Sequence, residues 1–76
     1  MNTHIETGTV NTPIIRGKQI GKCRVEAAYN YTTEKVILTA YSLVDERVIQ
    51  DEFDHEEANA RWLAMTGDCK PLIVYH

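Results

Sequence analysis

No apolar run in these 76 residues approaches the roughly 20 residues that a membrane-spanning helix requires. The opening stretch, MNTHIETGTVN, contains neither the basic region nor the apolar segment of a secretory signal peptide. Internal repeats and low-complexity segments are absent too, and 43% hydrophobic with 25% charged residues is an ordinary globular composition. We therefore expect one small globular domain in the cytoplasm.

Cysteine is also scarce. Cys23 and Cys69 are the two cysteines of the chain, and they do not form a Cys-x-x-Cys pair. A cytoplasmic protein keeps its thiols reduced, so we expect both to be free, with Cys23 as a small residue of the core.

Motifs of catalysis and metal binding are missing or incomplete. The stretch His55-Glu56-Glu57-Ala58-Asn59 begins like the His-Glu-x-x-His signature of zinc proteases, but asparagine stands where the second imidazole is needed. The one serine, Ser42, has no flanking glycines, and no glycine-rich loop suited to phosphate is present. We expect a protein that is not an enzyme, with no cofactor, no metal site and no catalytic residue.

Direct binding of nucleic acid is disfavoured by charge. The one basic segment comprises Arg16, Lys18, Lys22 and Arg24, while the whole chain has a net charge of −3. Aromatic side chains on a sheet can stack on unpaired bases, but Tyr29 and Tyr31 share a predicted strand face with the core residues Val25 and Ala27. We expect no nucleic-acid partner and no membrane partner.

Hydrophobic periodicity predicts a β-meander. The run CRVEAAYNY (23–31) alternates with a period of two, which indicates a half-buried strand. The run KVILTAYSLV (35–44) is apolar on both faces and suits the middle of a sheet, and RVIQDEF (47–53) returns as a third strand. Residues 1–19 are predicted to be irregular, with at most a short edge strand around Thr9 to Ile15, because Pro13 cannot donate to a sheet ladder.

Local signals predict a helix after the meander. Asp54 is a suitable N-cap, Glu57 completes a capping box, and Gly67 suits the left-handed residue that follows a helix. The helix is expected from about His55 to Thr66, with Trp62 as its main anchor on the sheet. The final run PLIVYH is predicted to be a short strand that pairs beside the strand 23–31. The expected fold is α+β, in the order β-β-β-α-β, with residues 20–76 as a single domain.

Acidic residues are concentrated in one part of the chain. Between residues 45 and 57 one base, Arg47, accompanies seven acids: Asp45, Glu46, Asp51, Glu52, Asp54, Glu56 and Glu57. The helix terminus accounts for Asp54 and Glu57, whereas no structural task is evident for Asp45, Glu46, Asp51 and Glu52. We predict that these four form an acidic band that binds a basic groove of another protein.

The apolar strand 35–44 offers a second candidate surface. One helix can cover only one of its faces, which would leave Ile37, Tyr41 and Leu43 as an apolar interface. Alternatively, the N-terminal segment folds back as a lid over this face, with contacts from Ile5, Val10, Ile14 and Ile15. The sequence leaves both arrangements open.

A short acidic chain with a strand meander, a capped helix in VIQDEFDHEEANARWL (48–63) and no catalytic motif resembles the small proteins of phages and other mobile elements. Anti-CRISPR proteins and related inhibitors of host defence are the best-known examples. The resemblance implies a stoichiometric inhibitor in the cytoplasm of a bacterial host, whose acidic surface imitates nucleic-acid phosphates. The alternative is a small homodimeric regulatory or antitoxin-like domain of a bacterial operon that self-associates through its apolar sheet face. A monomer is expected in the first case and a homodimer in the second.

Overall fold

A computed structural model describes residues 5–72 of the chain. These residues form four strands, β1 (Ile14–Ile20), β2 (Cys23–Asn30), β3 (Lys35–Ser42) and β4 (Val48–Phe53), followed by the helix α1 (His55–Thr66). The strands make one antiparallel sheet in the order β1-β2-β3-β4. The α+β class, the antiparallel meander and the helix bounds are therefore confirmed. No helix among residues 5–72 is long and apolar enough to cross a membrane.

The order of elements differs from the predicted β-β-β-α-β. An additional strand, β1, precedes the meander and pairs with β2 from Ile14 to Ile20, so the expected irregular segment 1–19 contains most of a strand. The short edge strand allowed around Thr9 to Ile15 overlaps β1 only at Ile14 and Ile15. The rest of β1 was not predicted because its middle, Arg16 to Gln19, carries no apolar residue, as is common at a sheet edge. β2 is flanked by β1 and β3, so the place predicted for the final strand is occupied. Residues 73–76 of that predicted strand lie outside the described residues.

The core lies between one face of the sheet and α1. Alternate residues of β2 and β3 point to this face, which we call the helix face, and meet two buried residues of the helix, Ala58 and Trp62. The sheet contributes these buried residues: Val25, Ala27, Tyr29, Val36 and Leu38. The position of Trp62 agrees with its predicted role as the anchor between helix and sheet.

The opposite face, which we call the lid face, is covered by the N-terminal segment. Ala28 and Ile37 on this face are buried. The segment is held through its backbone, because the Tyr29 N–H donates to the Pro13 carbonyl (3.0 Å) and the Tyr31 N–H to the Asn11 carbonyl (3.0 Å). Of the two arrangements that the sequence left open, the lid is formed over Ile37. Of the apolar contacts expected for the lid, Ile15 packs instead against the core on the helix face.

Val10 is the clearest exception among those expected lid contacts, since it is 98% exposed. Ile5 and Ile14 are also classed as exposed, at 40% and 44%. The lid therefore depends more on hydrogen bonds than the apolar pattern suggested.

Both ends of α1 follow from the residues that predicted them. The Asp54 Oδ1 accepts the Glu57 N–H at 3.0 Å, and Gly67 has a φ of +73° while its N–H donates to the Leu63 carbonyl at 2.8 Å. The predicted N-cap and C-terminal glycine are confirmed. The Glu57 carboxylate accepts from Arg61 Nη2 at 3.1 Å, so it supports the first turns of the helix through an i,i+4 pair.

Candidate functional site

The four acids predicted to form one band do not lie together. Asp45 and Glu46 occupy the turn between β3 and β4, whereas Asp51 and Glu52 lie near the other end of β4, which advances about 3.3 Å per residue. Asp51 pairs opposite Leu38 on the helix face, and Glu52 pairs opposite Ile37 on the lid face. The predicted acidic band is therefore split between two ends of a strand and between two faces of the sheet.

Two of these acids also have structural tasks that the sequence did not reveal. The Glu52 Oε2 accepts from Asn30 Nδ2 (3.0 Å) and from the Thr33 hydroxyl (2.7 Å), which ties β4 to the turn between β2 and β3. Asp45 pairs with Arg47 at 3.2 Å, and a hydrogen bond with Ser42 lowers the pKa of its carboxyl below the ordinary 3.8. The contacts of Glu52 reach across the sheet, so a composition argument could not find them, whereas the partners of Asp45 lie within three residues of it.

A different grouping of acids is continuous along the chain at the outer strand β4, although its members Asp51 and Glu52 lie on opposite faces of the sheet. The second half of β4 and the first turn of α1 follow each other directly, and together they carry a set that we call the acidic edge: Asp51, Glu52, Asp54, Glu56 and Glu57. Arg61, four residues after Glu57, is paired with it and lies 5.1 Å from the centre of the Phe53 ring. Within residues 5–72, ion pairs therefore offset the charge of the acidic edge at Glu57 alone.

Basic residues lie at the opposite edge of the sheet. β1 and the β1–β2 turn, together with the start of β2, carry a set that we call the basic edge: Arg16, Lys18, Lys22 and Arg24. Arg24 pairs with Glu26 at 3.0 Å. Because β1 and β4 are the outer strands, three spacings of about 4.8 Å separate them, and the acidic and basic edges lie roughly 14 Å apart.

Arg16 fixes the residues that follow α1 against this basic edge. Its guanidinium donates to the carbonyl oxygens of Lys70 (2.7 Å) and Pro71 (2.9 Å) and lies 3.6 Å from the Asp68 carboxylate. Lys18 and Lys22 have no ion pair within residues 5–72. These two lysines therefore account for most of the uncompensated positive charge on this side.

A groove of about 320 Å³ separates β4 from the second half of α1. Ile49 and Met65 form part of its apolar lining, and Asp51 brings the acidic edge into it. Ile49 is 74% exposed although it lies on the helix face, because the helix covers the other end of β4. This leaves an apolar side chain and a carboxylate beside each other on an outer strand.

The central residue of the predicted apolar interface is buried. Ile37 is fully buried beneath the N-terminal segment, so it is not available to a partner, and Tyr41 is half-buried. Leu43 remains 55% exposed in the turn beyond β3. Cys23, expected in the core, is exposed as well, and both cysteines are free.

Asn59, which stands where a zinc-protease signature has its second histidine, has a structural role. Its Oδ1 accepts the backbone N–H of Leu72 at 2.7 Å, which fastens the segment after the helix so that the Leu72 side chain is buried in the core. Within residues 5–72, no three His, Cys, Asp or Glu side chains are grouped to hold a metal ion. Asn59 thus acts as a latch between α1 and the chain that follows it.

Replacing this latch should destabilise the domain. Asn59→Ala leaves the Leu72 N–H without its acceptor, and we expect a loss of about 1–3 kcal/mol in the free energy of unfolding. Asn59→Asp is the matched control, because it keeps an acceptor oxygen at the same place. Urea denaturation of the three proteins measures the difference, and an alanine variant as stable as the parent would show that the latch is unimportant.

Comparison with known proteins identified no relative. No protein-family model matches the sequence, and no match was found among curated proteins or among solved structures.

Proposed function

We propose that this chain is a small non-catalytic protein-binding module whose acidic edge covers a basic surface of another protein. The observation that carries the proposal is the separation of charge across the sheet, with the acidic edge on β4 and α1 and the basic edge on β1. A charged patch held on rigid elements steers association with an oppositely charged surface.

The acidic edge is suited to this task by its exposure. Asp51, Asp54, Glu56 and Glu57 are all classed as exposed, although Asp54 and Glu57 also serve the helix terminus. Glu52 is half-buried and holds the β2–β3 turn, so it contributes charge to the edge while its position is fixed. Asp51 and Glu56 are the two exposed acids of the edge that the N-cap and the Arg61 pair do not use.

The likeness to phage-encoded inhibitors suggests a more specific function, the inhibition of a host defence protein. A stoichiometric inhibitor of a host defence protein would place its carboxylates where that protein holds nucleic-acid phosphates. Such a module needs charge in a fixed arrangement and no catalytic group. The order of residues along β4 and α1 supports this form because it keeps the carboxylates on neighbouring, regular elements.

A defined basic probe tests the docking surface without knowledge of the natural partner. The association rate with an immobilised lysine-rich peptide is measured at low and high salt for the parent and for the double variant Asp51→Asn, Glu56→Gln. The matched control is Glu6→Gln, Glu46→Gln, which changes the net charge equally at exposed acids outside the acidic edge.

We expect the double variant Asp51→Asn, Glu56→Gln to associate with the peptide at least roughly threefold more slowly than the parent at low salt. Its association rate should also depend much less on salt. The control should remain close to the parent. If both variants slow equally, overall charge rather than the acidic edge governs association, and the proposed surface is wrong.

A further inference from the structure

The outer strand β4 leaves alternate backbone groups unpaired. The Ser42 N–H donates to the Arg47 carbonyl at 2.8 Å, which shows that residue 47 points its backbone groups toward β3. Along an antiparallel strand this direction alternates, so residues 49, 51 and 53 also point inward. The backbone groups of Val48, Gln50 and Glu52 therefore point away from the sheet.

The other outer strand, β1, also leaves alternate backbone groups unpaired. Tyr29 and Tyr31 donate their N–H groups to Pro13 and Asn11, so the odd-numbered residues of β2 point toward β1. Their partners in β1 are residues 16, 18 and 20, which point inward. The backbone groups of Gly17 and Gln19 therefore point outward.

Both edges are open within the part of the chain that the structure describes. β1 and β4 are the outermost strands, and no residue from 5 to 72 adds a further strand to either. The Glu52 N–H is bonded to the adjacent Asp51 carboxylate at 2.8 Å, and the Gln50 side chain is bonded to the Ile5 backbone on the lid face. The outward backbone groups of Val48 and Gln50 themselves have no partner within residues 5–72. Open edges of this kind accept another strand.

We propose that the β4 edge of one copy pairs antiparallel with the β1 edge of a second copy, with Gln50 opposite Gln19. Both residues point their backbone groups outward, as a hydrogen-bonded antiparallel pair requires. This register also places Asp51 opposite Lys18 and Ile49 opposite Ile20.

The side chains on the helix face match in this register. Asp51 and Ile49 of β4 lie on the helix face, as do Lys18 and Ile20 of β1, because they pair with residues on that face within the sheet. Residues directly opposite each other share a face, so one new pair joins unlike charges and the other joins two exposed apolar side chains.

On the lid face the same register places Glu52 opposite Gly17, where a side chain would collide with the guanidinium of Arg24. The glycine thus lets Arg24 extend over β1. The Glu52 carboxylate is already bonded to Asn30 and Thr33, so the contact between unlike charges in this register is that of Asp51 with Lys18 on the helix face.

Pairing of like edges is disfavoured by the same charges. If two β4 edges pair about Gln50, the two Asp51 side chains become diagonal neighbours, and if two β1 edges pair about Gln19, the same holds for the two Lys18 side chains. The association is therefore head to tail, and it extends to a row of copies because each added copy presents the same two edges. This inference goes beyond the proposed function, since it requires no foreign protein.

Reversing the charge of Asp51 or of Lys18 tests the proposed pairing of β4 with β1. The weight-average mass is measured by light scattering as a function of protein concentration at low salt for the parent, Asp51→Lys and Lys18→Asp. Asp51 and Lys18 are exposed, so neither change removes a core contact, and circular dichroism checks that each variant is folded. Glu46→Lys and Lys35→Asp are the matched controls, because they make the same charge changes at exposed residues outside β1, β4 and the basic edge.

We expect the parent and both controls to grow in mass with concentration, and each edge variant to associate at least roughly tenfold more weakly. An equimolar mixture of Asp51→Lys with Lys18→Asp should recover the association, because each copy then meets an unlike charge on its neighbours. A parent that stays monomeric to about millimolar concentration, or a mixture that fails to recover, overturns the pairing. Neither result bears on binding of the lysine-rich peptide.

Discussion

Trp62→Ala should reduce the free energy of unfolding by about 3–5 kcal/mol, the cost usual for truncating a buried aromatic side chain. Trp62 is 1% exposed, and it joins the buried residues of β2 and β3 to the helix. A domain of this size has few other large side chains to replace it, so the variant should be largely unfolded at room temperature. Thermal denaturation followed by circular dichroism gives the result.

Two measurements make the interpretation of that variant secure. Trp62→Phe keeps most of the ring, although it loses the hydrogen bond from the indole Nε1 to Asp68 (3.2 Å), and should therefore cost clearly less than alanine. In the parent, tryptophan emission should be blue-shifted and poorly quenched by iodide. A red-shifted, fully quenchable emission would contradict the buried position.

Asp68 adds a pH dependence to this part of the core. Hydrogen bonds from the Lys70 N–H and the Trp62 indole hold the pKa of the Asp68 carboxyl below its ordinary 3.8. Because the folded pKa lies below the unfolded pKa, the stabilisation is present above pH 3.8 and is lost as the pH falls through the folded value. Trp62→Phe should make stability less sensitive to acid in this range.

Ile37→Ala should cost about 2–5 kcal/mol, because it leaves a cavity between the sheet and the N-terminal segment. Ile37 has no exposed surface, so it is a core residue and not the interface residue that the apolar pattern also allowed. Leu43→Ala is the control, since Leu43 is 55% exposed and its truncation should change stability by no more than about 0.5 kcal/mol. Equal, small losses from both changes would mean that the lid does not cover Ile37.

The elements that local chemistry specifies were predictable from the sequence. Asp54 and Gly67 determine where α1 begins and ends through contacts within a few residues, so the helix bounds were predicted closely. The alternation in β2 and the apolar run in β3 likewise depend on which faces are buried, and both strands were found. Sequence reasoning succeeded where a residue's neighbours in sequence are also its neighbours in space.

The features that depend on distant contacts were not predictable. β1 lacks an apolar pattern because its second half is exposed, and Asn59 finds its partner 13 residues later at Leu72. Glu52 looked free because its bonds to Asn30 and Thr33 reach across the sheet. None of these contacts leaves a periodic or local signal.

The candidate site combines a predictable part with one that needed the structure. The sequence already separates bases near residues 16–24 from acids near residues 45–57. Only the strand order reveals that these segments form the two opposite edges of one sheet, and only the register shows which backbone groups each edge leaves open.

Amide hydrogen exchange, measured residue by residue by NMR, tests the claim that the oppositely charged edges are open. In dilute protein we predict fast exchange at Gln19 and Gln50 and protection at their neighbours Lys18 and Asp51, whose backbone groups point into the sheet. As the concentration rises at low salt, both glutamine amides should become protected together. Glutamine amides that are protected even in dilute solution, or Lys18 and Asp51 amides that exchange as fast as theirs, would contradict this account of the two edges.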